Sequence, residues 1–323
     1  MKRIAVLTSG GDAPGMNAAI RAVVRMAVSR GWEVAGIRHG FGGLLQGDIR
    51  PLGSRDVGEI MQRGGTVLGS ARSPEYDTPE ARERALDRLR TERIQALIVI
   101  GGNGSQAGAY ALTQMGFPTV GIPSTIDNDV YGSDMTIGVD TALNVALEAI
   151  DRLKTTASSH RRAFVVEVMG RHCGYLALMA AIAGGAEAVL LPERKTDPED
   201  VALQVREAWE RGKPHALIVA AQGAEYNAAK LTGYFDQHRD RLGFDLRTTT
   251  LGYVQRGSDP TYADRMLATR FGAAAVDCIA ESNFGVLVGL KGAELITTEL
   301  SEVASRRKTL DNEMLALAEV LAT

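Results

Sequence analysis

The chain has 323 residues, a length that suggests roughly two domains of about 150 residues each. Hydrophobic residues make up 45% and charged residues 23% of the sequence, which is ordinary for a globular protein and excludes intrinsic disorder. The net charge of −3 gives no global attraction to nucleic acid or to an acidic membrane surface. We therefore expect neither nucleic acid nor membrane as a partner.

The two cysteines, Cys173 and Cys278, are too few for a disulfide framework and favour a reducing, cytoplasmic location. The first apolar run is too short for a secretory signal. The longest apolar stretch, Ala177 to Leu191, is broken by Gly184, Gly185 and Glu187, so the sequence predicts no membrane span.

Short apolar runs alternate with longer segments of helical periodicity. In chain order the predicted elements are strand Ile4–Leu7, helix Pro14–Arg30, strand Val34–Ile37, helix Pro79–Glu92, strands Ala96–Ile100 and Thr119–Ile122, helix Ala142–Thr155, strand Ala163–Val168, helix Gly174–Ala183, strand Ala188–Leu191, helix Pro198–Arg211, strand Ala216–Ala221, helix Tyr262–Glu281 and strand Val286–Leu290. This alternation indicates an α/β fold with parallel sheets. No linker marks a domain boundary, although a switch near Gly138–Asp140 is plausible because a long helix starts there.

Glycines follow the ends of several predicted strands, where open parallel sheets bind ligands. Glycine lets backbone amides approach an anion, and the following helix adds its positive end. The run Gly101-Gly102-Asn103-Gly104-Ser105 favours a phosphate cradle, although it is neither a Walker loop nor a dinucleotide fingerprint. Gly10-Gly11 fits a tight strand-to-helix turn as well as a ligand loop.

A polar segment, Ser124-Thr125-Ile126-Asp127-Asn128-Asp129, follows another strand. Its two carboxylates suit a general base and a metal ligand, and the alternative is an Asx-rich turn. Five arginines lie in loop-like contexts and could bind phosphate bidentately or make surface ion pairs, namely Arg72, Arg162, Arg171, Arg247 and Arg256. Arg171 and Arg256 each flank a glycine, which favours ligand contact for those two.

Together these segments closely resemble the bacterial-type 6-phosphofructokinase family over nearly the whole chain. The matching stretches are Leu7-Thr-Ser-Gly-Gly-Asp-Ala-Pro-Gly-Met-Asn-Ala-Ala-Ile-Arg21, Arg63-Gly-Gly-Thr66, Gly69-Ser-Ala-Arg72, Thr125-Ile-Asp-Asn-Asp129, Val166-Glu-Val-Met-Gly-Arg171 and Gln255-Arg-Gly257. The resemblance implies two three-layer αβα Rossmann-like domains with mostly parallel sheets. It divides the chain into a larger ATP-binding domain, 1–138 plus 251–300, and a smaller sugar-phosphate-binding domain, 139–250 plus 301–323.

The resemblance also implies a glycolytic kinase that transfers the γ-phosphoryl group of ATP, with Mg²⁺, to the 1-hydroxyl of fructose 6-phosphate. Carried over, Asp127 is the general base, and Thr125, Arg171 and Arg72 assist the transfer. The implied ATP site comprises Gly11, Arg72, Ser73, Gly102, Asn103, Gly104 and Ser105, with Asn103 and Asp129 at the metal. The implied sugar-phosphate site comprises Thr125, Ile126, Asp127, Arg162, Met169, Gly170, Arg171, Gln222, Arg247, Tyr253 and Arg256.

The resemblance further implies a homotetramer in which Arg162 and Arg247 reach in from a neighbouring subunit. The family binds ADP or phosphoenolpyruvate at an effector site, which here corresponds to Arg21, Arg25, Lys154, Gly185, Glu187, Arg211, Lys213 and His215. Gly104 and Ser124 fit the ATP-using branch, since the pyrophosphate-using branch typically has aspartate and lysine there.

Four ligand-facing positions depart from the family pattern. Asn103 replaces an aspartate associated with magnesium, Ser124 a glycine, Gln222 a glutamate and Tyr253 a histidine. Phe41, Ser73, Tyr76 and Asp77 also differ from many relatives around the adenine. The sequence therefore leaves two hypotheses, an active kinase with reduced or altered activity and a catalytically weak paralogue that regulates or assembles with an active partner.

Overall fold

The computed structural model describes residues 2–160 and 162–322. These form two compact units, the first running up to Thr141 and including Arg256–Lys308, the second containing Ala142–Gln255 and the residues from Thr309 on. The predicted division assigned 301–323 to the smaller domain, whereas the structure keeps residues up to Lys308 in the first unit. The reason is packing, because Leu300 and Val303 are buried in the core of the first unit.

Strands and helices are numbered along the chain. The strands are β1 (Arg3–Ser9), β2 (Glu33–Ile37), β3 (Ile49–Leu52), β4 (Ala96–Gly101), β5 (Thr119–Pro123), β6 (Ala163–Val168), β7 (Ala188–Leu190), β8 (Ala216–Ala221), β9 (Leu246–Thr250), β10 (Val286–Lys291) and β11 (Glu294–Glu299). The helices are α1 (Met16–Ser29), α2 (Gly40–Gln46), α3 (Pro79–Thr91), α4 (Asn103–Gln114), α5 (Val139–His160), α6 (Tyr175–Gly184), α7 (Pro198–Glu210), α8 (Ala228–Gln237), α9 (Arg239–Leu242), α10 (Tyr262–Ala280), α11 (Leu300–Ser305) and α12 (Asn312–Leu321).

The first unit is built on a seven-stranded sheet in the order β11-β10-β5-β4-β1-β2-β3. Its five inner strands are parallel, and β3 and β11 are antiparallel edges. β4 reads Ala-Leu-Ile-Val-Ile-Gly and is buried along its whole length. Such a continuous apolar run is what a parallel strand covered on both faces requires.

The second unit contains a four-stranded sheet in the order β7-β8-β6-β9, and all of its pairs are parallel. β8 is apolar and fully buried, and it pairs with β6 from Ala163–Ala216 to Val168–Ala221. Both units are therefore α/β with mostly parallel sheets, as predicted. The described residues contain no helix that combines the length and the apolarity needed to cross a bilayer.

The eight predicted strands and six predicted helices are all present, within a few residues at their ends. The predicted helix Ala142–Thr155 is part of the longer α5. The run Gly101 to Ser105 was expected as a loop. Instead Gly101 ends β4, Asn103 begins α4, and only Gly102 lies between them.

Candidate active site

Three strands of the first unit end side by side at the carboxyl edge of its sheet. Ser9 of β1 lies opposite Gly101 of β4, and Gly101 lies opposite Pro123 of β5. The two glycine loops and the acidic loop that follow these strands are therefore neighbours. This is the edge at which an open parallel sheet binds its ligand.

The fully buried side chain of Gln106 holds the glycine loop after β4 in place. Its side-chain amide donates to the carbonyls of Gly101 at 2.9 Å and Ile122 at 3.0 Å. A Cβ on Gly101 would lie 2.5 Å from Oγ of Ser105, so the loop excludes any larger residue there. Gly102 caps α4, and the dipole of this twelve-residue helix is positive at Asn103. A helix start of this kind, with free backbone N–H groups, suits an anion.

The acidic loop is held in place by Asn128, a buried residue in the left-handed conformation with φ 52°. Its amide nitrogen donates to the Asp134 carbonyl at 3.1 Å, and its oxygen accepts from the Thr136 N–H at 3.1 Å. Thr136 Oγ1 in turn donates to the Thr125 carbonyl at 2.5 Å. Asn128 and Thr136 thus set the backbone that presents the half-buried Asp127.

Within that loop, the Asp127 N–H donates to Oγ1 of Thr125 at 3.2 Å. Ile126 is only 2% exposed, so this predicted substrate residue presents almost no surface to a ligand. Ser124 is 1% exposed, and its hydroxyl has no hydrogen-bond partner. The Ser124 hydroxyl is therefore buried without a hydrogen bond to offset the loss of water.

The predicted nucleotide residues Arg72 and Ser73 lie on a segment that runs beside Gly10. The Gly10 N–H donates to the Ala71 carbonyl at 3.4 Å, and Ser70 Oγ donates back to the Gly10 carbonyl at 2.6 Å. Arg72 is exposed. The structure therefore brings both residues to the same edge as the glycine loops.

Arg256 also reaches this edge. A Cβ built on Gly11 would lie 3.1 Å from one terminal nitrogen of Arg256, so the guanidinium covers the bare Gly11 backbone. The resemblance assigns Arg256 to the sugar phosphate and Gly11 to ATP. In the first unit the two are in contact.

Two aromatic rings stack close to helix α4. The Phe41 and Tyr76 ring centroids are 4.0 Å apart with an interplanar angle of 14°. Tyr76 Oη donates to the Gly108 carbonyl at 3.2 Å, and burial raises the pKa of the phenol above its usual range. A Cβ on Gly108 would come within 2.7 Å of the Phe41 ring. The pair is thus a fixed apolar wall beside the helix.

Of the two residues predicted to bind Mg²⁺, Asp129 suits the ion and Asn103 does not. Asp129 offers a carboxylate, which Mg²⁺ prefers. Asn103 Oδ1 instead accepts a hydrogen bond from Arg307 Nη1 at 3.2 Å, and Asn103 Nδ2 donates to the Asp129 carbonyl at 3.3 Å. A cation already faces the only side-chain oxygen that Asn103 could give to a metal. No cluster of three or more His, Cys, Asp or Glu side chains among the described residues could hold a metal ion.

The second unit has its own loop edge, where β6 and β8 end. Gly170 has φ 126°, and a Cβ there would lie 2.4 Å from the Cys173 carbonyl. Gly223 likewise has no room for a side chain, because a Cβ built on it would lie 1.9 Å from the Arg171 carbonyl oxygen. The Gly223 N–H donates to the Gly170 carbonyl at 3.0 Å. The buried Gln255 accepts from the Met169 N–H at 2.8 Å. These contacts bring Met169, Gly170, Arg171 and Gln222 together.

Arg162 and Arg247 lie at the other end of the same sheet. Arg162 precedes β6 and Arg171 follows it, so a strand length of roughly 20 Å separates them. Arg247 lies beside Phe164, near the start of β6. These two predicted sugar-phosphate residues therefore do not join Arg171 within one chain. Tyr253, on a 3₁₀ turn after β9, is 78% exposed.

Six predicted effector residues belong to the second unit. Lys213 Nζ donates to Glu187 Oε1 at 3.0 Å, and Lys154 Nζ lies 3.8 Å from a Cβ position on Gly185. His215 Nδ1 is 2.8 Å from Oγ of Ser158, one helical turn after Lys154. Arg211 pairs with Glu207 at 3.8 Å. Arg21 and Arg25 lie on α1 of the first unit.

Comparison with known proteins identifies the family. The architecture is that of an α/β protein with ligand loops at the carboxyl ends of parallel strands. Residues 3–279 match the family model described as phosphofructokinase. The chain belongs to the phosphofructokinase family.

Curated relatives match along their full length. An "ATP-dependent 6-phosphofructokinase" of Listeria monocytogenes serotype 4b (strain CLIP80459) is 49% identical over 325 residues, with 100% of both chains covered. An "ATP-dependent 6-phosphofructokinase 1" of Thermus thermophilus is 51% identical over 323 residues, again with 100% of both chains covered.

Solved structures of phosphofructokinases have the same fold as this chain. Phosphofructokinase from Saccharomyces cerevisiae superposes with a TM-score of 0.86 at 35% identity, over 100% of this chain and 48% of that one. Pichia pastoris phosphofructokinase in the T-state superposes with a TM-score of 0.90 at 35% identity, over 99% of this chain and 37% of that one. This chain thus spans half or less of the yeast polypeptides.

Proposed function

We propose that the protein is an ATP-dependent 6-phosphofructokinase that acts in glycolysis. It transfers the terminal phosphoryl group of ATP to the 1-hydroxyl of fructose 6-phosphate. The observation that carries this function is the Thr125–Asp129 loop, fixed beside two glycine loops at one sheet edge. Full-length relatives at 49% and 51% identity bear the same activity in their names.

Asp127 is the base of the proposed reaction. It takes the proton of the 1-hydroxyl as that oxygen forms a bond to the γ-phosphorus, while the bond from phosphorus to the ADP oxygen breaks. Phosphoryl transfer needs positioning and charge neutralisation more than covalent catalysis. In the first unit, Thr125 and Arg72 supply these, since hydroxyl and guanidinium groups donate hydrogen bonds to phosphoryl oxygens. The resemblance assigns the same role to Arg171 of the second unit.

ATP binds through the backbone of the first unit. The amides at the start of α4 and the glycines at 11, 102 and 104 suit a polyphosphate, and Ser73 and Ser105 complete the proposed contacts. Mg²⁺ bound with the nucleotide would neutralise phosphate charge, and Asp129 is the residue we assign to hold it. Asn103 does not fit that role, because its oxygen is turned to Arg307.

Fructose 6-phosphate is recognised through the second unit. The closed backbone of Gly170 and Gly223 gives the Met169–Arg171 and Gln222 loops a fixed form. Arg171 provides a cationic contact to the phosphate. The resemblance also assigns Arg256, which belongs to the first unit, to the sugar phosphate. Gln222 accepts a neutral hydrogen bond, which is about half as strong as a charge-assisted bond to glutamate. Tyr253 keeps a phenolic donor in place of histidine.

We further propose a homotetramer. Arg162 and Arg247 lie at the end of β6 remote from Arg171, so they cannot serve the same sugar phosphate as Arg171 of their own chain. A neighbouring subunit that supplies this pair resolves the conflict. The cluster around Glu187 and Lys213 is the proposed binding site for ADP or phosphoenolpyruvate.

A catalytically weak paralogue is the second candidate. The uncompensated hydroxyl of Ser124, adjacent to Thr125, favours it. It predicts ligand binding with a turnover reduced by about 10²–10⁴, the combined scale of the departures at positions 103, 124, 222 and 253. The cytoplasmic location stays a prediction.

The test is product identification. Purified protein is incubated with fructose 6-phosphate, Mg²⁺ and either ATP or pyrophosphate, and fructose 1,6-bisphosphate is measured by an aldolase-coupled assay. We expect product with ATP and none with pyrophosphate. Product formed with pyrophosphate alone would contradict the ATP assignment, and binding of both substrates without product would select the weak paralogue.

A further inference from the structure

A run of three basic residues, Arg306-Arg307-Lys308, ends the first unit and comes back to the acidic loop. No motif recognised in the sequence includes this run. Its two outer residues are fixed by contacts within the first unit, which leaves the middle one directed at the glycine loop.

Arg306 stacks over Tyr131, with the guanidinium carbon 4.7 Å from the ring centroid, and it pairs with Glu302 at 3.7 Å. On the other side, Lys308 Nζ donates to the Ser133 carbonyl at 3.0 Å. The Lys308 N–H donates to the Asp129 carbonyl at 3.4 Å. The residues on both sides of Arg307 therefore contact the segment that follows Asp127.

Arg307 reaches the first residue of α4. Its Nη1 donates to Asn103 Oδ1 at 3.2 Å and to the Arg306 carbonyl at 3.3 Å. Asn103 Nδ2 then donates to the Asp129 carbonyl at 3.3 Å. A continuous chain of hydrogen bonds thus places a guanidinium one side chain away from the Gly102 loop.

The charge of Arg307 is not neutralised. No carboxylate among the described residues lies within 4.0 Å of its guanidinium, and its neighbour Asn103 is neutral. A guanidinium has five N–H donors, and one nitrogen serves both observed bonds, so the remaining donors are available. The side chain is exposed. This is a group suited to bidentate binding of a phosphate.

We propose that Arg307 binds the terminal phosphates of the nucleotide and that Asn103 orients it. The proposal rests on the proposed function, since it adds a residue to the same ATP site. It also gives a reason for the asparagine at position 103, which is a poor ligand for Mg²⁺. An aspartate there would neutralise the Arg307 guanidinium. Part of the phosphate charge is then met by Arg307, so ATP binding depends less on Mg²⁺ than it would with a carboxylate at 103.

The test is calorimetric titration of the full-length protein with ATP, in Mg²⁺ and again in EDTA. Arg307→Gln is expected to weaken ATP binding about tenfold in both media, the scale of one charge-assisted hydrogen bond. Arg307→Lys should recover part of the loss. The matched control is Arg90→Gln, a 65% exposed arginine on α3 that also changes the charge by one, and it should bind ATP as wild type does. AMP, which lacks the terminal phosphates, should bind Arg307→Gln and wild type equally.

The variant Asn103→Asp tests the effect of charge at this position, because aspartate has nearly the same shape as asparagine but carries a negative charge. In EDTA it should bind ATP more weakly than wild type, since a carboxylate would pair with Arg307 and repel phosphate, and Mg²⁺ should restore its affinity. Equal ATP affinity of Arg307→Gln and Arg90→Gln would overturn the proposal, as would a parallel loss of AMP binding. A wild type that binds ATP through Arg307 yet makes no fructose 1,6-bisphosphate would refute the proposed function and leave this inference standing.

Discussion

Glu187 and Lys213 form a half-buried ion pair at the predicted effector cluster. Glu187 Oε1 accepts from Lys213 Nζ at 3.0 Å, and the carboxylate side chain is 4% exposed whereas the lysine side chain is 37% exposed. Glu187 Oε2 accepts from the Leu217 N–H at 2.6 Å. The carboxylate is thus buried with one cation and one amide, so any anionic effector that recruits Lys213 must compete with Glu187.

Breaking this pair should destabilise the fold. Lys213→Met leaves the Glu187 charge buried with a single amide donor, and we expect a loss of about 1–3 kcal/mol in the free energy of unfolding, measured by urea denaturation. Glu187→Gln in the same background should recover part of it. The control is Arg211→Met, which breaks an exposed pair with Glu207 and should cost below about 0.5 kcal/mol. Equal losses from both lysine and arginine variants would show that burial of Glu187 has no special role.

The buried hydroxyl of Ser124 gives an opposite prediction. Because it has no partner, Ser124→Ala should raise the free energy of unfolding by about 1 kcal/mol. Ser133 is the comparison, since its buried hydroxyl donates to Met135 at 2.6 Å and accepts from Leu290 at 3.0 Å. Ser133→Ala should lose about 1–2 kcal/mol. If Ser124→Ala also loses stability, the Ser124 hydroxyl is hydrogen-bonded in solution.

Asp264 predicts a pH effect on stability. Burial raises the pKa of this carboxyl above its usual value, although its oxygens accept from the N–H groups of Gly138 and Thr141, both at 2.8 Å. A carboxyl whose pKa is higher in the folded than in the unfolded state holds its proton longer when folded. Its contribution to stability is therefore full below about pH 4 and is lost as the pH rises through the folded pKa.

The measurement compares the wild type with Asp264→Asn by urea denaturation at several pH values from about 4 upward. The wild type minus variant difference in unfolding free energy should fall with rising pH and then level off. A difference that rises with pH would mean that the hydrogen bonds to the carboxylate outweigh its burial.

The fold was predictable where residues are buried on both faces. Apolar runs such as β4 and β8 identified the inner strands. The edge strands β3, β9 and β11 escaped prediction, because their exposed residues leave mixed sequences such as Leu-Arg-Thr-Thr-Thr. The helix α4 was missed because three glycines and a serine surround its start, and Gln106 anchors it only through the completed sheet.

The residues of the candidate site could be predicted where the residue type itself indicates a role. Glycines after strands and the paired acids at 127 and 129 gave its outline. Asn128 and Arg307 could not be found this way, since each acts through a contact made in the folded chain. Arg307 meets Asn103 across 204 positions of sequence.

The most direct test of the whole account is the turnover of Asp127→Asn. In saturating ATP, Mg²⁺ and fructose 6-phosphate, the wild type should form fructose 1,6-bisphosphate, and the variant should lose about 10²–10⁴ in kcat with the substrates still bound. Asp87→Asn, at a 77% exposed carboxylate on α3, should turn over as the wild type does. A wild type without activity, or an Asp127→Asn variant with undiminished kcat, would contradict the claim that this carboxylate removes the proton from the acceptor.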